Sequence, residues 1–296
     1  MLINELIGGG PVITDGAWRT QLQLHGLAGG GCPDQWNLSK PEIVERVPRD
    51  YVRAGSQIVL TNTFRANRIA LESYALADQT VDINRIGVDI SRRAVGDQAY
   101  VFATMGPSGK MLLMGEVSKE DLQQAFEEQA NALAAAGTDA IVVETMADIE
   151  EAEVALRAAK NTGLPVVACV VFDSGPQGDC TMTGVTPEQA AQWLDSAGAD
   201  VVGANCGSGI ETHIGICQRM NAVTDKPLWI KPNAGTPEMI NGEVTYRTEP
   251  REFAAHAPAL VEAGAQFVGG CCGTGPEFIK ALCQTVLGRT SQQQQV

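Results

Sequence analysis

The sequence predicts an α/β protein built as one (β/α)8 TIM barrel, and three observations carry that prediction. One phrase, an Ala-Gly pair followed by a β-branched run, recurs four times at spacings of roughly 60–80 residues, about two βα units each. Four weaker strand patterns fill the gaps, each alternating with a helical segment. The strands end in polar or reactive residues, which is where a parallel barrel keeps its working face.

Taken in order, the first strand is expected over Pro11 to Asp15, followed by a helix over Pro41 to Ala54. The first copy of the phrase is Ala54-Gly55-Ser-Gln-Ile-Val-Leu-Thr61-Asn62. Its glycine suits a helix C′ position with positive φ, and the run after it suits a strand buried on both faces. A helix over Asp82 to Val95 and a strand over Tyr100 to Gly106 follow, then a helix over Lys119 to Ala136. The second copy runs from Ala136-Gly137 to Glu144. A helix over Asp148 to Asn161 and a strand over Pro165 to Phe172 lead to a helix over Pro187 to Ala197. The third copy runs from Ala197-Gly198 to Asn205-Cys206, with a helix over Glu211 to Val223 behind it. A strand over Pro227 to Asn233 and a helix over Arg251 to Ala263 precede the fourth copy, Ala263-Gly264 to Cys271-Cys272. The helix over Pro276 to Leu287 closes the series. A doubly wound open sheet is the runner-up, but its Gly-rich phosphate turn is missing: the first strand ends in Thr14-Asp15-Gly16-Ala17-Trp18. We expect one domain over residues 1–289 and a frayed tail over 290–296, where four glutamines stand in a row.

Composition narrows the function. A formal net charge of −14 repels phosphate backbones and anionic lipid, which argues against nucleic acid and membrane surfaces as partners. No apolar run approaches the ~18–20 residues of a membrane span. Met1 to Gly10 lacks the basic and apolar regions of a secretory leader, and eight cysteines are too sparse for a disulfide scaffold. We therefore expect a reducing, cytoplasmic setting, in which clustered thiols point to a metal or to catalysis.

Three cysteines stand at two strand ends, Cys206 after the sixth and Cys271-Cys272 after the eighth, with Asn233 on the strand between. Three thiolates and one open position make a tetrahedral Zn2+ site of the catalytic kind. Glycines at 269, 270 and 273 give two successive ligands the backbone freedom they need. Zinc would deprotonate a fourth, incoming thiol, which suits alkyl transfer to sulfur better than hydrolysis. The competing reading is that these cysteines are small buried hydrophobes. The histidines His25, His213 and His256 show no ligand spacing, and the two in helices are expected to be solvated or capping. Cys169 is expected in the core, and Cys32, in a Gly-rich loop, exposed.

The motifs Asp15-Gly16-Ala17, Thr61-Asn62-Thr63-Phe64, Glu144-Thr145-Met146, Gly203-Ala-Asn205-Cys206, Pro232-Asn233-Ala-Gly235 and Gly269-Gly270-Cys271-Cys272-Gly273-Thr274 together resemble the homocysteine S-methyltransferase family. The resemblance spans about Pro11 to Leu287, and its texture is nearest the homocysteine module of cobalamin-dependent methionine synthase. It implies a zinc-dependent barrel that methylates homocysteine to methionine, with Cys206, Cys271 and Cys272 as catalytic zinc ligands. Asn233 would fill the fourth position at rest. Glu144 would take the substrate ammonium. Asp15 would share it or hold the first loop, and Thr61, Asn62 and Thr63 would meet the carboxylate or shape the pocket. Trp18-Arg19 stand where the family has a glycine just before Thr20, which bears on donor access. With no D-x-H-x-x-G motif present, the donor is expected to be a small onium compound such as betaine or S-methylmethionine, held by Trp18 and Trp36. The alternatives are a methyl-corrinoid protein as donor, a different small thiol as acceptor, a zinc hydrolase or lyase on the same barrel, or a zinc carrier.

Overall fold

The computed structural model describes residues 2–240 and 243–288, so the expected tail and the end of the domain at 289 lie outside the described residues. Eight parallel strands form a nearly closed barrel: β1 (Val12–Ile13), β2 (Ile58–Val59), β3 (Tyr100–Met105), β4 (Ala140–Met146), β5 (Val166–Val170), β6 (Val201–Cys206), β7 (Leu228–Pro232) and β10 (Ala265–Val268). Their order is β1-β10-β7-β6-β5-β4-β3-β2. The strands read as unbroken apolar runs because each is covered by helices outside and by its neighbours' side chains inside. Inside the barrel the Trp229 ring stacks on Phe102 at 6.0 Å and tilts against Phe267 at 5.3 Å, making a filled core instead of a pore.

The β1/β2 seam carries no regular ladder, and side chains close it. Gln57 donates its backbone N–H to the Ile13 carbonyl at 2.8 Å, and its side-chain oxygen accepts from Ile13 N at 3.0 Å. Ser56 Oγ donates to the Thr14 carbonyl at 3.1 Å, and Leu60 N donates to Asp15 Oδ2 at 2.8 Å. Buried backbone groups must find partners, and polar side chains here replace a missing strand neighbour.

The repeated Ala-Gly phrase behaves as its pattern requires: Gly55, Gly137, Gly198 and Gly264 all take positive φ, between 82° and 114°. Long helices start on capping boxes at Ser118 and Thr186. Two expected helices are each broken in two. Pro41–Val44 is followed by Arg46–Ala54, and Pro250–Ala255 by Ala257–Glu262. Pro48 and Pro258 stand in the first turn of each second piece, where a missing N–H does no harm but the preceding turn cannot continue into it. Several short elements were not anticipated, among them the helices Trp18–Leu24, Trp36–Ser39 and Arg68–Glu72 in the loops after β1 and β2. A short helix, Leu2–Ile7, puts Ile3 against the inner barrel cluster. A hairpin of β8 (Glu238–Ile240) and β9 (Glu243–Thr245) rises from the loop after β7.

Two side chains differ from expectation. Cys32 is buried, not exposed. His213, expected to be solvated or capping, is buried within its helix, with Nδ1 3.0 Å from the Gly209 carbonyl, and burial lowers its pKa to about 4. The unfolded chain takes up a proton near pH 6.5 that the folded chain refuses. Stability from this residue is therefore complete above pH 6.5 and is lost as pH falls toward 4, by up to about 3 kcal/mol. His213→Gln is expected to flatten the urea-unfolding free energy between pH 6.5 and 4. An unchanged slope would remove His213 from the account.

Candidate active site

A cleft of about 210 Å³ sits at the C-terminal ends of the barrel strands. Cys206, Cys271 and Cys272 all line it, and their Sγ atoms lie within 4.8 Å of one another. β6 delivers Cys206 in a left-handed conformation, φ 65°, and Gly207 follows at φ 68°. Thr145, at the end of β4, is also left-handed at φ 60°, which a β-branched residue adopts only at a cost of about 1–3 kcal/mol. Asn205 binds the strained pair together. Its Oδ1 accepts from Thr145 N at 2.8 Å, and its Nδ2 donates to Thr145 Oγ1 at 2.7 Å. The other two thiols come from the turn after β10. Cys271 N donates to the Pro232 carbonyl at 2.7 Å, and Thr274 Oγ1 donates to the Cys271 carbonyl at 2.6 Å. Gly270 cannot carry a side chain because a Cβ would strike Thr274.

The three sulfurs fit a soft divalent metal. None is in a disulfide. Cys206 is pushed up to about 12: its contact with Cys271 pulls down, and the contact with Cys272 and burial outweigh it. Cys272 also rises to about 12, its bond from Cys206 being overcome by Cys271 and by burial. Cys271 is also raised well above the usual thiol range, first by its contact with Cys206. Three thiolates this close repel one another, and a cation among them removes that obstacle.

Beside the thiols stands Glu144, buried on β4. The Thr104 hydroxyl donates to its Oε1, while among the described residues Oε2 has only the Asn205 amide at 3.4 Å. Burial raises its pKa, and the Lys231 charge and the Thr104 bond oppose that rise. Lys231, on β7, lines the same cleft.

The profile of the homocysteine S-methyltransferase family matches residues 12–286. The chain belongs to that family. It is 30% identical to the methionine synthases of Mycobacterium leprae and Mycobacterium tuberculosis over 93% and 96% of its length. It spans about a quarter of each of them, 24% and 25%. It is also 30% identical to betaine–homocysteine S-methyltransferase 1 of Danio rerio, over 96% of this chain and 74% of that one. The metallated homocysteine methyltransferase MmuM of Escherichia coli shares the fold, with a TM-score of 0.79 at 23% identity over 95% of this chain and 98% of that one.

The geometry separates the residues singled out from the motifs of this family. Thr61 and Asn62 line the cleft, but the Thr61 hydroxyl and the Asn62 side-chain nitrogen are engaged. Thr61 Oγ1 bonds Thr63 Oγ1 at 2.6 Å and accepts from Thr104 N at 3.2 Å. Asn62 Nδ2 donates to the Pro33 carbonyl at 2.7 Å and to Asn37 Oδ1 at 2.9 Å. Thr63 lies off the cleft and donates to the Thr104 carbonyl at 2.7 Å. Asp15 also lies beneath the lining. Its Oδ2 takes the Leu60 amide and the Trp18 indole N–H, each at 2.8 Å, and its Oδ1 takes Lys231 Nζ at 2.5 Å. Asn233 has both ends of its amide committed, Nδ2 to the Gly207 carbonyl at 2.7 Å and Oδ1 to Cys272 N at 3.0 Å, so it braces both thiol loops. Arg19 ties its own loop to the Gly29 carbonyl at 2.5 Å. Of the two tryptophans expected around a donor, Trp18 lines the cleft; Trp36 does not, and Lys40 Nζ covers its ring at 4.0 Å.

Three residues escaped the sequence reading: Lys231, Thr104 and Tyr246. Burial, with Cys272 next, raises the Tyr246 hydroxyl far above its usual range, and the Tyr246 ring closes against Gly273. A basic residue inside an apolar strand run is a detectable signal for Lys231, since a buried lysine needs a partner. Nothing local marks Thr104 or Tyr246.

Proposed function

We propose that this chain transfers a methyl group to the thiol of homocysteine, forming methionine, with Zn2+ held by Cys206, Cys271 and Cys272. The observation that carries the reading is three free thiols gathered at a cleft beside a buried carboxylate. When bound, zinc supplies the deprotonation of the incoming thiol. The chain's own residues do the rest. Glu144 offers Oε2 to the substrate ammonium, a charge-assisted bond in a desolvated wall. Asn205 and Asn233 fix the backbone that carries the thiols. The family profile supports homocysteine as acceptor, and the absence of histidine from the cleft lining favours transfer to sulfur over zinc hydrolysis. A cytoplasmic location accords with eight free cysteines, and no helix among the described residues is long and apolar enough to cross a membrane.

For the donor, a small onium compound suits a cleft walled by Trp18 and Phe64, whose ring faces attract a cation. A methyl-corrinoid protein is the second reading. It is favoured by exposed apolar side chains around the catalytic face: Leu24, Met111, Leu113, Met114, Met182 and Met239, on segments that follow β1, β3, β5 and β7. The test is methionine formation from homocysteine with betaine, S-methylmethionine or a methylated corrinoid protein, with and without a zinc chelator. One donor should work, and chelation should abolish turnover. Turnover that survives complete removal of metal would overturn the zinc reading, and hydrolysis of esters without added thiol would replace the transferase reading.

A further inference from the structure

We propose that Lys231 binds the carboxylate of the acceptor amino acid, so that Glu144 and Lys231 together read its zwitterionic head group. This rests on homocysteine being the acceptor. Lys231 is almost wholly buried, its side chain 3% exposed, yet it forms part of the cleft lining. An ammonium has three N–H donors. Among the described residues Lys231 Nζ has one hydrogen-bond partner, Asp15 Oδ1 at 2.5 Å, with the Trp229 ring beneath it at 5.8 Å. Asp15 takes Lys231, Trp18 and Leu60 and lies fully buried off the cleft lining, so it anchors the lysine instead of meeting a ligand.

Apart from Arg65 and the Asn62 side-chain oxygen, the other polar side chains of the cleft already hold a partner among the described residues. The Thr61 hydroxyl and the Asn62 Nδ2 bond within the fold, and Arg19 is held by loop carbonyls. Glu144 Oε2 and the remaining N–H groups of Lys231 are left, opposite in sign and presented from β4 and β7. The Asn205 amide nitrogen lies 3.4 Å from Glu144 Oε2 and 3.9 Å from Cys271 Sγ, so a short aliphatic chain spans from the head-group site to the sulfurs. An amino acid with a two-carbon arm to its thiol matches that layout. Arg65 is the competing cation. Its Nε is buried without a partner among the described residues, but it stands on the wall shared with a second cavity, beside Ser108 and Lys110.

The test is calorimetric binding of three thiols to the zinc-loaded protein: homocysteine, 3-aminopropane-1-thiol, which lacks the carboxylate, and 4-mercaptobutanoate, which lacks the ammonium. The wild type is expected to prefer homocysteine over 3-aminopropane-1-thiol by about 10–100-fold, the usual worth of a hydrogen bond to a charged group. Asp15→Asn with Lys231→Met removes both buried charges together; it should weaken homocysteine and 4-mercaptobutanoate by a similar factor and leave 3-aminopropane-1-thiol unchanged. Lys231→Arg should keep the wild-type ranking. Equal binding of homocysteine and 3-aminopropane-1-thiol by the wild type overturns the proposal without need of any variant. So does an equal loss for all three thiols in the double variant, or a carboxylate-selective loss in Arg65→Gln instead. If the wild type binds none of the three, homocysteine itself is the wrong acceptor and both readings fall.

Discussion

Replacing Cys271 with alanine is expected to strip zinc from the protein and to slow homocysteine methylation by on the order of 10³-fold, a few per cent of free thiol being thiolate at neutral pH and the rest of the loss coming from alignment. The reason is geometric. The three sulfurs lie within 4.8 Å of one another, and each supplies one corner of the site. Two remaining sulfurs leave a site too poor in ligands for a tightly held tetrahedral ion. Cys206→Ala and Cys272→Ala should behave alike. Cys180→Ser, in the loop after β5, should retain both metal and rate, because that thiol lies outside the trio. Metal analysis on purified protein, paired with the methylation assay and a circular-dichroism check of folding, decides the matter. A Cys271→Ala protein that is folded and still carries one zinc per chain would end the proposal.

Asp15→Asn is expected to be among the most destabilising single substitutions in this chain, costing about 3–5 kcal/mol, because it removes the carboxylate bonded to a buried ammonium. The Lys231 and Asp15 side chains are 3% and 0% exposed, so water cannot make good the loss. The carboxylate also accepts the Leu60 amide at the β1/β2 seam, so its weakening loosens barrel closure. In a domain of this size, that free energy corresponds to a fall in Tm of the order of 10 °C. Adding Lys231→Met should recover much of it, since removing both charges is far less costly than removing one. Urea titrations of the wild type, the single variant and the double variant measure this directly. A single-variant loss below about 1 kcal/mol would mean that the pair is solvated, and the buried ion pair would no longer describe the site.

The barrel was legible in the sequence because its signals are local. A positive-φ glycine after a helix and a β-branched run after the glycine depend on neighbours a few residues away, and all four copies of the phrase form the expected turn and strand. The helix breaks at Glu45 and His256 were misread because apolar periodicity continues through both points, whereas a first-turn proline resets the backbone. The thiol trio was visible as residue types at strand ends, since a parallel barrel brings all strand ends to one face. The roles of Asp15, Thr63 and Asn233 were not, because strand-end position does not say whether a polar side chain faces the cleft or stitches the loops beneath it.

The amino-acid sequence by itself determined the eight-fold alternation of strand and helix and the supply of three thiols to the catalytic face. Tertiary structure alone decided which polar groups remain free to meet a ligand. Asp15 and Lys231 are 216 residues apart in the chain and 2.5 Å apart in space. Whether a carboxylate binds substrate or neutralises a buried lysine depends on that distance and on the dielectric around it, and neither is encoded in local pattern.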